Sequence, residues 1–187
     1  MAIKIYIDQG HNPKNPNAGA EGNGLREQDI VYEIGVRLAA LLRANPEFEV
    51  RLSRPTPDTL LGNSNSESLR LRVNDANAWG ADYFLSLHTN ASSQAAATGS
   101  EAFVYSKPST AANLAEDILR EMTNYTGLRN RGVFGRTGLY VLRRTAMPAI
   151  LLELGFITNA NDAALMSGQP DLFARGIYEG ILDYFGV

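Results

Sequence analysis

Short apolar runs rich in β-branched residues alternate along this chain with segments whose apolar residues recur at helical spacing. No other feature constrains the fold as strongly. Residues 3–8 (IKIYID) read as a buried strand that breaks at Gly10. Residues 12–24 hold Pro13, Pro16, Gly19, Gly22 and Gly24 among asparagines and read as a long loop. From Glu27 to Arg43, Ile30, Val31, Ile34, Leu38, Leu41 and Leu42 keep a helical period, with acids at its start and Arg43 at its end. FEVRLS (48–53), YFLSLH (83–88), EAFVYS (101–106), residues 139–142 and AILLEL (149–154) read as further strands. Residues 68–79, 109–124 and 171–184 read as helices, and NRGVFG (130–135) as a turn. Strands alternating with helices imply right-handed crossovers. The expected fold is α/β: a single twisted, mostly parallel six-stranded sheet with helices on both faces. The run at 101–106 follows that at 83–88 with no helix between, which fits one antiparallel edge. With no linker, repeat or low-complexity tract, residues 1–187 are expected to form one domain, long enough to bury a core.

Composition narrows the chemistry. A net charge of −3 argues against a nucleic-acid binder, which would carry a basic face. The absence of cysteine excludes disulfides, thiolate zinc sites and cysteine nucleophiles. No apolar stretch reaches the ~18 residues of a membrane span, so no membrane insertion is expected. Strand-like residues begin at Ile3, so export would depend on another route or on a leader outside this sequence.

In open α/β sheets, ligands bind beyond the carboxyl ends of the strands. The two histidines, His11 and His88, both fall at that address, and Glu153 lies near the end of an otherwise apolar run. Taken singly, each histidine is better explained as a core or capping residue, whereas Glu153, flanked by Leu151, Leu152 and Leu154, would be costly to bury without a partner, an arginine being the structural alternative. Glu27, which opens the first helix after the long loop, suits the helix dipole equally well. Taken together they suggest more. Two imidazoles and one carboxylate are the ligand set of a catalytic zinc site with water in the fourth position. A separate carboxylate could then take the proton from that water. The H-E-x-x-H, G-x-x-x-x-G-K-[ST] and G-x-S-x-G motifs are absent, and GNGLRE lacks the third glycine of a dinucleotide fingerprint. Ser86 is expected to face away from His88 and is not read as a nucleophile.

IYIDQGHN, LREQD, LSR, YFLSLHTNAS, NRGVFG and LYVLRRTAMPAILLELGFITN occur in this order along nearly the whole chain. That series resembles zinc-dependent N-acetylmuramoyl-L-alanine amidases of the amidase-3 type. The resemblance implies that His11, Glu27 and His88 hold one zinc ion and that Glu153 is the catalytic glutamate. The implied reaction cleaves the amide between the lactyl carboxyl of N-acetylmuramic acid and L-alanine of the stem peptide. Asn90, Arg131 and Arg144 are weaker candidates for substrate contact, with loop fixing or ion pairing as their alternatives. The chain departs from the family pattern at Asn12, where a second glycine is usual, and at HTNA, where HANA is usual. Some cell-division members carry an inserted inhibitory helix after the fourth strand, for which this chain has little room, so an open site is expected. The resemblance further implies a monomeric, secreted, autolysin-type enzyme acting on peptidoglycan at the bacterial cell wall. A zinc peptidase acting on another cell-wall amide, or a silent wall-binding module, is the alternative. The presence of all four residues favours the enzyme.

Overall fold

The computed structural model describes residues 2–187. Its elements run β1 (Ile3–Gln9), β2 (Glu21–Gly22), β3 (Leu25–Arg26), α1 (Glu27–Arg43), β4 (Phe48–Leu52), α2 (Asn65–Trp79) and β5 (Tyr83–Asn90). They continue with β6 (Ser100–Val104), α3 (Thr110–Thr126), β7 (Asn130–Gly135), α4 (Tyr140–Arg144), β8 (Ala149–Phe156), α5 (Ala160–Gly168) and α6 (Pro170–Phe185). One six-stranded sheet has the order β4-β1-β5-β8-β6-β7. β4, β1, β5 and β8 are parallel, β6 is antiparallel to β8, and β7 is parallel to β6. The mostly parallel α/β sheet expected from the sequence is present, but its reversed margin is two strands wide.

Two expectations are corrected. Residues 139–142 do not form a strand; most of them lie in the short helix α4, which packs Val141 and Leu142 onto the sheet. A four-residue apolar run has no period long enough to separate the two states. The sixth strand is instead β7, read above as a turn. Only Val133 of its six residues is buried, so pairing with β6 decides its conformation rather than any pattern of its own. At the end of the loop 12–24, β2 pairs with β3 in a hairpin across Asn23 and Gly24, both at positive φ. Helix α5 was also unforeseen; it begins where the Asn159 side chain accepts from the backbone of Asn161 and Asp162.

Strand residues alternate between two unlike faces. Ile5, Ile7, Leu85, Leu87, Ile150 and Leu152 pack into one core with α1, α3 and α6. Tyr6, Phe84, Phe103 and Leu151 form a smaller core beneath α2 and α4. Further along this second face, at the carboxyl ends of β5 and β8, the apolar series gives way to His88 and Glu153 as register partners. None of the helices is long and apolar enough to cross a membrane, among the described residues.

A buried ion pair fastens this second layer to the end of β1. Arg72 of α2 is 1% exposed and donates to Asp8 Oδ1 and to the Gln9 carbonyl, each at 2.6 Å, and also to the His11 carbonyl. Ser86 donates to the other Asp8 oxygen at 2.8 Å. Burial alone would raise the Asp8 carboxyl, but the Arg72 guanidinium outweighs it and holds the group below its usual range. Removing one member leaves the other charged and unpaired inside the protein. Arg72→Ala is expected to lower unfolding free energy by about 3–5 kcal/mol in a urea titration. The double variant Arg72→Ala, Asp8→Asn is expected to lose less than the sum of the two single changes.

Candidate metal centre

Each ligand candidate reaches the carboxyl edge by its own backbone device. His11 follows Gly10 at the end of β1 and sits in the left-handed region at φ 67. The Gly10 amide donates to the Leu87 carbonyl at 3.0 Å, which ties this turn to β5. A Cβ at Gly10 would stand 2.5 Å from His88 Cε1, so only glycine lets the two strand ends approach this closely. Glu27 is the first residue of α1, and its amide donates to the Ala20 carbonyl at 2.9 Å across the base of the β2–β3 hairpin. That hairpin is anchored in turn by Asn23, which donates to the Ile157 carbonyl at 2.8 Å.

The three side chains converge. Glu27 Oε1 lies 3.1 Å from His11 Nε2 and 3.0 Å from His88 Nδ1, and accepts from the Thr89 amide at 2.9 Å. Glu27 Oε2 accepts from the Ala20 amide at 2.9 Å. One ligand atom from each of His11, Glu27 and His88 falls within 4.8 Å of the others. Burial would raise the Glu27 carboxyl, but hydrogen bonds from His11 and His88 outweigh it and hold the group far below the carboxylate range. Burial would lower the His88 imidazole, and its hydrogen bond to Glu27 more than reverses that. The donor set fits a metal ion: an ionised carboxylate between two imidazoles, with His11 Nδ1 buried and free of any hydrogen bond.

Glu153 faces this cluster from β8. Its Oε2 is buried without a partner, and no arginine pairs with it among the described residues. Burial pushes its carboxyl up to about 7, with His88 opposing and Glu27 and Glu101 adding to the rise. Glu101 is the residue that the sequence reading passed over. It is the second residue of β6, directly opposite Glu153, and is 9% exposed. Asn90 donates to it at 2.6 Å and Arg131 at 3.1 Å. An acid heading an otherwise apolar run was the available signal, the same anomaly that singled out Glu153. Asn90 and Arg131 therefore meet on Glu101, and the Arg131 guanidinium also stacks 5.1 Å from the Phe156 ring. Arg144 ends α4 as an exposed residue whose carbonyl accepts from Asn77, with no ion pair to the cluster among the described residues. Ser86 lies on the same face as His88, as residues two apart in a strand must, and its hydroxyl is occupied by Asp8.

Two outcomes are expected. Gly10→Ala should displace His88 and weaken Zn²⁺ affinity roughly 10–100-fold in competition with a chelating dye. In the metal-free protein, Glu153 binds its proton more tightly folded than unfolded. The cost of ionising it is absent below about 4.5, grows towards about 7 and is complete above that. Metal-free Glu153→Gln should therefore melt above metal-free wild type at pH 8, with the gap closing near pH 4.5, by differential scanning calorimetry.

The chain matches the N-acetylmuramoyl-L-alanine amidase family Amidase_3 over residues 5–183. It is 36% identical over 189 residues to the N-acetylmuramoyl-L-alanine amidase CwlM of Bacillus licheniformis, covering 99% of this chain and 70% of that protein. It is 37% identical over 186 residues to the amidase LytC of Bacillus subtilis, covering 97% of this chain but only 35% of that longer protein. The catalytic domain of the amidase CwlV from Bacillus (Paenibacillus) polymyxa superposes with a TM-score of 0.85 at 32% identity, over 99% of both chains. The sequence match, the sheet order and the cluster at its carboxyl edge agree: this chain belongs to the Amidase_3 family of N-acetylmuramoyl-L-alanine amidases.

Proposed function

We propose that the chain hydrolyses the amide between the lactyl carboxyl of N-acetylmuramic acid and L-alanine of the peptidoglycan stem peptide. In this reading His11, Glu27 and His88 hold one zinc ion, and Glu153 carries the proton. The observation that bears most weight is that two unlike carboxylates flank His88, Glu27 through a direct contact and Glu153 as its register partner. Glu27 is kept ionised between two imidazoles, while Glu153 is buried with a free oxygen and a carboxyl near about 7. Ligands stay charged; proton carriers change charge. A bound zinc supplies Lewis acidity, polarising the scissile carbonyl and lowering the pKa of a water from 15.7 toward ~7.

The rest of the chemistry belongs to the chain. Glu153 in its carboxylate form takes a proton from the attacking water as the new C–O bond forms. It then returns that proton to the nitrogen as the C–N bond breaks, so that the amine leaves neutral. Asn90 and Arg131 keep Glu101 fixed opposite Glu153, and with exposed Arg144 they are the candidates for contact with the stem peptide. All four principal residues come from one chain, which supports a single catalytic domain working as a monomer. α3 runs into β7 through residues 127–129, which leaves no segment there to plug the cleft. Action on peptidoglycan would put the domain outside the cytoplasm, at the cell wall.

Purified peptidoglycan tests the reading directly. Wild type should release free amino groups, lose that activity to a chelator and regain it with Zn²⁺. Glu153→Gln should lower the rate by roughly 10²–10⁴-fold while retaining bound metal. His11→Ala and His88→Ala should instead lose the metal. Activity that survives chelation removes the zinc mechanism, and activity that survives Glu153→Gln removes the assigned base.

A further inference from the structure

At the reversed margin of the sheet the second face is partly bare. Phe134 of β7 is 44% exposed there, although it pairs with Phe103 of β6 and their ring centroids lie 6.3 Å apart. The Arg136 guanidinium lies over the Phe103 ring at 4.9 Å. The two arginines of this margin differ in how their charges are met. Arg131 is engaged by Glu101 and by the Thr98 carbonyl. Exposed Arg136 makes no side-chain hydrogen bond or ion pair among the described residues. A planar guanidinium stacked on a ring keeps its N–H donors free at its edge, and that fork matches a carboxylate with two parallel hydrogen bonds.

This margin is continuous with the catalytic edge. Glu101 pairs with Glu153 across β6 and β8, and Phe103 pairs with Leu151 two residues further along the same face. Two strand residues span about 7 Å, within reach of a few residues of extended peptide. Charge decides which side of the scissile amide lies here. The lactyl carboxyl is consumed in the amide, which leaves the muramic acid side neutral. The peptide keeps its free carboxylates, the terminal one at the least. Resting on the amidase reading above, we infer that Arg136, stacked on Phe103, receives a carboxylate of the stem peptide. The peptide rather than the glycan then runs over the β6–β7 margin. Arg136 selects the anionic form of the peptide and takes no part in bond breaking.

The test compares initial rates of amino-group release by the zinc-loaded chain, well below saturation, on two substrates. One is purified peptidoglycan; the other is the same material with its free carboxylates converted to carboxamides by carbodiimide and ammonia. Wild type is expected to favour the native form about 5-fold, the upper end for one exposed ion pair. Arg136→Gln should bring the native-to-amidated ratio close to one by slowing on the native form only, and Arg136→Lys should keep part of the preference. Arg175→Gln, which removes an exposed positive charge from α6, should leave the ratio at its wild-type value. A preference that persists in Arg136→Gln overturns the inference, and so does one that falls equally in Arg175→Gln. If Arg136→Gln slows both forms by the same factor, the margin holds a neutral group such as a sugar ring and the inference fails. Wild type that releases amino groups from neither form removes the amidase reading and the inference with it. Wild type that cleaves the native form no faster than the amidated one removes only the inference.

Discussion

Much of the carboxyl edge is organised by the need to satisfy one buried carboxylate. Glu27 is 3% exposed, and a charge so placed survives only when every side of it is met by a donor or a cation. Its four donors come from three parts of the chain: the Ala20 amide before the hairpin, His11 after β1, and His88 with the adjoining Thr89 amide in β5. Satisfying Glu27 therefore closes the long loop, sets the start of α1 and brings two strand ends together. The Asp8–Arg72 pair does the same one layer down, where it holds the backbone that presents His11.

Two carboxylates a short distance apart are driven in opposite directions by these surroundings. Hydrogen bonds from two imidazoles keep Glu27 ionised, while burial without a partner keeps Glu153 close to neutral pH. Environment, not residue type, is what suits one carboxylate to holding a cation and the other to carrying a proton. Glu101 sharpens the contrast, since its charge is matched by Arg131 and Asn90 and still bears on Glu153 across the strand pair.

The parallel centre of the sheet was legible because buried parallel strands must be continuous apolar runs, and IKIYID, YFLSLH and AILLEL are such runs. The margin was not. β7 exposes most of its residues and owes its conformation to β6, whereas the more apolar segment 139–142 is drawn over the sheet largely as a helix by the second core. Asn23-Gly24 is a strong hairpin dipeptide, but with Gly22 it also resembles the start of a dinucleotide fingerprint, which hides the hairpin. Glu101 stayed hidden because its meaning lies in the residue opposite it, and register across an antiparallel pair is not written in either strand alone.

By itself, the sequence determined the kinds of groups present and the strand ends they occupy: two histidines, an acid at a helix start and an acid inside an apolar run. Those follow from local rules of burial and period that act within a few residues. Only the tertiary structure decided that His11, Glu27 and His88 share one point and that Glu153 lacks a counter-ion. It also decided that Glu101 faces Glu153. Each of these depends on distances between segments up to 142 residues apart in the chain (His11 to Glu153), and on which partners exclude water once the layers close. A shifted pKa and a cluster able to hold a cation are properties of that closure.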